Sequence, residues 1–387
     1  MTRIEADWLN ARATQRVFAM LLDAGFQAYA VGGCVRDSLL GMPVKDIDIT
    51  TDARPEMVLN LAVAAGFHAV PTGIDHGTVT VVSSGVPHEV TTFRHDVETD
   101  GRRATVAFAG TIDEDARRRD FTMNALYADS EGHVQDPIGG LPDLAARRIR
   151  FIEDAPTRIR EDYLRSLRFF RFHAWYGDSA EGFDPEAIAA IAAHVDGLAA
   201  LSRERIGAEV MKLLAAPNPA PAVAGMRSTG VLSAIMPGTD DRALAPLVHL
   251  EHSVGLAPDA LRRLAALGGE GLREGLRLSR RDAARLSDIR KATAMSPAEA
   301  GYRLGARTAL DGLVLAAASI GSSVDMAAIT DARHAAEQEF PIRAVDLMPE
   351  FSGPDLGRMM DTLEQAWIDS GFGITRSDLL RRAGKRG

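Results

Sequence analysis

The chain has 387 residues, 46% hydrophobic and 25% charged, a length that suits two to four water-soluble domains. No apolar stretch reaches membrane-spanning length, the N-terminus has no apolar signal region, and the single cysteine, Cys34, excludes internal disulfides and multi-cysteine metal sites, so the cytoplasm is the expected compartment. A net charge of −9 argues against a nucleic-acid partner except through a local basic patch.

In chain order, "RATQRVFAMLLDAG" (12–25) has helical periodicity and stops at Gly25. "FQAYAVGG" reads as a strand running into a glycine turn, and "CVRDSLLG" as a short helix. "DIDITT" alternates polar and apolar residues as a strand does, and "ARPEMVLNLAVAAG" is helical again. "HGTVTVVSSGVPHEVTTF" (76–93) predicts a hairpin of two β-branched runs. The span from Arg94 to Arg119 is polar and predicts a long working loop or a disordered one. "DPIGGLPDL" reads as turns, and beyond residue 155 strand signals almost vanish. An α/β front third is followed by a helical remainder.

Segment 145–171 is rich in arginine, and the tail "RRAGKRG" is basic too. Lysine supplies only Lys45, Lys212, Lys291 and Lys385 of the 44 basic residues, so arginine richness is weak evidence of phosphate contact.

The chemistry concentrates in "AVGGCVRDSLLGMPVKDIDI" (30–49). On a strand, Asp46 and Asp48 face the same side, and two adjacent carboxylates call for a cation. Gly32 and Gly33 lie between a predicted strand and a predicted helix, where backbone N–H groups cradle phosphate. Carboxylates that hold Mg²⁺ by oxygen, close to a phosphate cradle, are the apparatus of nucleotidyl transfer. A surface D-x-D strand and an ordinary tight turn are the bland readings of the same residues. Glu89 lies on a strand able to run beside "DIDI", as a third carboxylate or as a merely exposed glutamate. Arg36 and Asp37 either reach a triphosphate or brace the glycine turn.

In "REDYLRSLR", helical spacing makes Asp162 and Arg165 i, i+3 neighbours and Glu161 and Arg165 i, i+4 neighbours. The default is a surface ion pair worth under ~1 kcal/mol. An Asp acceptor beside an Arg donor also matches the edge shared by cytosine and adenine and opposes that of uracil and guanine.

"GGCVRD" followed by "DID" resembles the head domain of polymerase-beta-type nucleotidyltransferases. With "RRDFTMNA" (118–125), "DPIGG" (136–140), "REDYLRSLRFFRF" (160–172), "SRERIGAEVMKLL" (202–214) and the weaker "VDLMPEFSGPDLGRMMDTLEQAW" (345–367), the chain resembles the class II tRNA nucleotidyltransferases and bacterial poly(A) polymerases. The resemblance implies a nucleotidyltransferase head (1–150), a helical neck with the base-reading motif (151–215), a helical body (216–325) and a tRNA-binding helical tail (326–387). It implies two Mg²⁺ ions on Asp46 and Asp48, and base reading by Asp162 and Arg165 with Glu161 holding them. Arg119 and Asp120 would read the ribose hydroxyls and Asn124 would support the nucleotide, with Arg168 counted among the same nucleotide-binding residues. The alternative for Asp120 is an ion pair closing a loop onto a helix.

The expected activity is untemplated addition of C, C and A to the tRNA 3′ end from CTP and ATP. The hairpin sequence and short C-terminus favour this over poly(A) synthesis, and the full-length loop before "RRDFT" favours adding the terminal A. The rival from another class is a non-catalytic RNA-binding protein on the same scaffold. His76, His249 and His252 lack partners at ligand spacing, an H…HD…D phosphohydrolase pattern is missing, and nothing implies a protein partner.

Overall fold

The computed structural model describes residues 2–73, 77–99 and 104–384, so His76 and Lys385 lie outside the described residues. The chain forms two compact units: one from the chain up to Glu209 plus Gly225–Ile235, the other from Val210–Ala224 plus the chain from Met236 onward.

The first unit is built on a seven-stranded sheet. Its strands are β1 (Ala28–Val31), β2 (Asp48–Thr51), β3 (His68–Gly73), β4 (Thr78–Ser83) and β5 (Val86–Thr92), then β8 (Tyr127–Ala128) and β9 (Val134–Gln135). Their spatial order is β3-β4-β5-β2-β1-β8-β9, and β2–β5 is the parallel pair in an otherwise antiparallel sheet. Ser84 and Gly85, both at positive φ, make the two-residue turn of the β4–β5 hairpin that the β-branched runs predict. Helices Arg12–Leu22 and Pro55–Ala64 cover one face of this half of the sheet, burying Val17, Phe18, Leu21 and Val58 against Val79, Val81 and Val90.

The polar span after Arg94 is ordered where it is described. β6 (Arg94–Thr99) pairs antiparallel with β7 (Ala104–Phe108), and the helix Ile112–Arg117 follows, capped by Thr111. The loop expectation fails because ladder hydrogen bonds need no apolar face, which is the only signal that periodicity detects.

A second difference falls at residue 162. The helical pattern of "TRIREDYLRSLRFFRF" is broken into helices Ala155–Glu161 and Leu164–Tyr176, with Asp162 extended between them at φ −153° and ψ 104°. The longer helix docks through Phe169, Phe170 and Phe172 on Phe121, Phe151 and Phe183. Gly225 is required there, since a Cβ would lie 2.6 Å from the Phe183 ring.

The regular elements of the second unit, among its described residues, are helices, beside an isolated bridge between Thr239 and Gly268. Its helices cross closely at small residues: a Cβ on Gly301 would lie 2.2 Å from the Ala332 carbonyl oxygen. Beneath them runs an ionic network. Glu251 accepts from Arg262 and Arg263, and Arg262 also reaches Asp311. Arg263 donates to the carbonyls of Leu214, Ala216 and Pro217. A last cluster packs Trp367 with Tyr302, Phe340 and Phe372. No helix among the described residues is long and apolar enough to cross a membrane.

Candidate functional site

The carboxylates gather on the open face of the sheet. His88 points under the helix Arg12–Leu22, its Nε2 3.0 Å from Thr14 Oγ1, so Glu89 faces the other side. The parallel register sets Glu89 beside Asp48. Asp46 lies just before β2 rather than inside it, but Glu89 N–H donates to the Ile47 carbonyl and extends the pairing. Ile47 and Ile49 are buried while Asp46 is exposed, so the alternation holds and Asp46 shares the face of Asp48.

Burial, then the charges of Glu89 and Asp46, push the Asp48 carboxyl up to about 6, against the opposing pull of Arg119. No hydrogen bond or ion pair from another described residue engages these three carboxylates. No cluster of three or more ligand-type side chains within mutual metal reach exists among the described residues.

The glycine turn stands at one end of this face. Gly32 has φ 71° and ψ −117°, a conformation for glycine alone, and opens the helix Gly33–Leu39. A Cβ there would stand 3.5 Å from Arg119 Nη1. Cys34 is buried beside it, its thiol donating weakly to the Val31 and Asp48 carbonyls.

Arg36 braces the turn. Its Nε donates to Asp37 at 2.8 Å, Nη1 to Asn124 Oδ1 at 2.6 Å, and Nη2 to the Tyr176 hydroxyl at 2.7 Å. The guanidinium also lies over the Tyr176 ring. Asn124 in turn donates Nδ2 to Asp120 Oδ1 at 2.9 Å. Asp120 Oδ2 takes Arg168 Nε at 2.6 Å. Burial raises the Asp120 carboxyl, but Arg168 and the hydrogen bond from Asn124 outweigh it and hold the group below the usual carboxylate range.

Arg119 and Asp120, adjacent in sequence, serve different clusters. Arg119 binds Asp115 at 2.8 Å and the Tyr127 hydroxyl at 3.1 Å, and Tyr127 donates to the same carboxylate. Burial opposes ionisation of Asp115, yet Arg119 and Arg118 keep it well below the ordinary range. Asp115 is thus a site residue that the sequence reading missed; its i, i+4 spacing to Arg119 was the available signal.

The base-reading trio is assembled only in part. Glu161 pairs with Arg165 across the helix break and with Arg158 at 2.8 Å. Arg165 also donates to the carbonyls of Arg158 and Arg118. Asp162 does not pair with Arg165, because the extended backbone removes the i, i+3 geometry. Instead its Oδ1 accepts the Leu164 N–H and its Oδ2 binds Arg205 Nη2 at 2.7 Å. Arg205 belongs to "SRERIGAEV", as does Glu209, which holds Arg171 at 2.5 Å.

"DPIGGLPDL" supports these groups from behind. Asp136 accepts the N–H groups of Gly140 and Leu141, and Asp143 binds Thr122 and Arg150. Gly140 has no room for a Cβ, which would sit 2.2 Å from the Thr122 oxygen. His249 and His252 are exposed in the second unit and meet no other ligand-type cluster among the described residues.

Residues 28–150 match the family model "Poly A polymerase head domain", and 182–242 match "Probable RNA and SrmB- binding site of polymerase A". The chain is 42% identical over 220 residues to a CCA-adding enzyme of Geobacillus thermodenitrificans, covering 56% of this chain and 52% of that protein. It is 42% identical over 184 residues to the human mitochondrial CCA tRNA nucleotidyltransferase 1, covering 47% and 42%. The chain thus spans about half the length of the curated relatives it matches. Among solved structures, the Bacillus stearothermophilus CCA-adding enzyme in complex with CTP superposes with a TM-score of 0.71 at 28% identity, covering 93% of both chains. A CCA-adding enzyme in its apo form II, at 20% identity and a TM-score of 0.72, shares the fold. Residues 28–150 thus carry a head domain of the poly(A) polymerase type, and the head followed by a helical remainder is similar in fold to the CCA-adding enzymes.

Proposed function

We propose that this protein adds C, C and A to the 3′ end of tRNA from CTP and ATP, untemplated, releasing pyrophosphate. The observation that carries the proposal is the face shared by Asp46, Asp48 and Glu89, where burial first, and then the charges of Glu89 and Asp46, raise the Asp48 carboxyl to about 6. These carboxylates are hard oxygen donors with no hydrogen-bonded cation among the described residues, a donor set that fits Mg²⁺. When bound, Mg²⁺ supplies activation of the attacking hydroxyl and charge neutralisation at the leaving pyrophosphate.

The remaining work belongs to the chain. Asp46 and Asp48 are the metal-holding catalytic residues, with Glu89 as the third carboxylate. The RNA 3′ oxygen attacks the α-phosphorus in line, and the bond to the bridging oxygen of pyrophosphate breaks. Gly33 offers its backbone N–H to the phosphates beside Arg119 Nη1, while Gly32, whose N–H is held by the Leu126 carbonyl at 3.1 Å, shapes the turn at positive φ. Asp120, fixed by Asn124 and Arg168, reads the ribose. Asp162 and Arg165 present the acceptor–donor edge that cytosine and adenine match. For this, Asp162 exchanges its Arg205 contact for the base amino group, while Glu161 keeps Arg165 in place.

In this reading the head is 1–150, the neck 151–215, the body 216–325 and the tail 326–387, with the helical parts gripping tRNA by its backbone and shape. The test is incubation with tRNA ending at the discriminator base, Mg²⁺ and each labelled nucleotide, followed by sequencing of products. Products ending in C-C-A are expected. An A tract would indicate a poly(A) polymerase, and no extension would overturn both activities.

A further inference from the structure

Tyr176 ends the helix that begins at Leu164, well beyond the base-reading residues, and no sequence motif marks it. Its hydroxyl nevertheless begins a chain of four contacts: Tyr176 to Arg36 (2.7 Å), Arg36 to Asn124 (2.6 Å), Asn124 to Asp120 (2.9 Å), and Asp120 to Arg168 (2.6 Å). The chain crosses from the long helix to the glycine-turn helix, through the turn Thr122–Asn124, and back to the long helix.

Direction is fixed at each link. A guanidinium only donates, so the Tyr176 oxygen accepts from Arg36, and Asn124 turns Oδ1 to Arg36. The other end of that amide then has to be Nδ2, which donates to Asp120. Without the Tyr176 hydroxyl, Arg36 Nη2 loses one of its two acceptors and keeps only Asp37 Oδ1, at 2.8 Å. The pressure on Arg36 to stay flat over the ring also falls, and the amide that orients Asp120 is less firmly held.

We propose that Tyr176 is a positioning residue for sugar selection: through Arg36 and Asn124 it sets the orientation of the Asp120 carboxylate, and with it the preference for ribonucleotides over deoxyribonucleotides. This rests on the reading of Asp120 as the ribose-contacting group. The discrimination is thereby tied to the docking of the helix that carries Arg165 and Arg168 against the glycine turn.

The test compares kcat/KM for CTP and dCTP, on tRNA ending at the discriminator base, in the full-length wild type, Tyr176→Phe and Asp120→Asn. Tyr176→Phe keeps the ring over Arg36 and removes the hydroxyl alone. The expected result is a CTP/dCTP ratio lowered about 5-fold, from a fall with CTP and little change with dCTP, as loss of one hydrogen bond of this kind predicts. Asp120→Asn should lower the ratio further, and Tyr176→Phe added to it should lower it no more. Equal losses with both nucleotides, or an unchanged ratio while Asp120→Asn lowers it, would overturn the positioning role. An unchanged ratio in Asp120→Asn would overturn the ribose reading beneath it. If Asp120→Asn does not fold, Asn124→Ala takes its place, with the same expectation of non-additivity.

Discussion

Glu251 and Asp48 are both carboxylates withdrawn from water, one in each unit, and their partners differ in kind. Around Glu251, Arg262 and Arg263 satisfy both oxygens, and the arginines spend their remaining N–H groups on Asp311 and on carbonyls. Around Asp48 the near charges are Glu89 and Asp46, of the same sign, and the opposing Arg119 is committed to Asp115. A completed network locks helices together and has nothing left for a ligand. An incomplete one costs stability in the free protein and leaves carboxylate oxygens available, in the proposed function, to a cation.

The comparison is open to breakage by paired substitutions. Asp48→Asn should abolish nucleotide addition, by about 10³-fold or more, yet raise the stability of the metal-free protein at pH 7 by about 1–3 kcal/mol. Glu251→Ala should do the reverse, losing about 3–5 kcal/mol because it takes the carboxylate from the buried Arg263 guanidinium and leaves Arg262 with the carboxylate of Asp311 alone. Urea unfolding and primer extension on both variants decide it; a destabilised Asp48→Asn would show that the open face is structural.

Specificity gives a smaller effect. Asp162→Ala should let UTP or GTP compete about 10- to 100-fold better, read by sequencing products from mixed nucleotides, while Mg²⁺ dependence is kept. Unchanged selectivity would leave Asp162 as only a helix cap and partner of Arg205.

The pH dependence is smaller still, and its sign follows from Asp48. Its folded value of about 6 lies above the ordinary 3.8, so the native state binds the proton more tightly than the unfolded one. This group's contribution to metal-free stability is therefore greatest below pH 4 and is lost as pH rises through 6. With Asp48 as the proposed Mg²⁺ ligand, metal and proton compete, so the Mg²⁺ concentration giving half-maximal rate should rise about tenfold per unit below pH 6. A flat response from pH 7 to 5 would remove Asp48 from the metal. Least of all, burial pushes the Cys34 thiol up to about 12, so it should resist alkylation at pH 8 until the protein unfolds.

How much of this was legible in the sequence depends on whether a feature leaves a local pattern. The β4–β5 hairpin did, because β-branched alternation flanks Ser84-Gly85, and so did Asp46 and Asp48, just before and at the start of β2. β3 did not, since "HAVPTG" is mostly exposed and interrupted by Pro71. The break at Asp162 was hidden by a helical pattern that continues through it, although an Asp with its side chain on the N–H two residues ahead is a familiar helix start. The Arg36–Tyr176 contact joins residues 140 apart and leaves no local trace. The roles of Arg36 and Asp37, undecided from sequence, needed exactly such a distant partner to be visible.

The hairpin turn carries one last consequence. Glu89 stands beside Asp48 because β5 leaves the two-residue turn in a register that turns His88 inward and Glu89 outward. Strand side chains alternate, so inserting or deleting one residue at Ser84-Gly85 would force either the hairpin ladder or the alignment of Glu89 with Asp48 to give way. The turn is on the surface and tolerates many side chains beside its glycine, but not a change of length. Over evolutionary time this loop would be free to vary in spelling and barred from insertions and deletions.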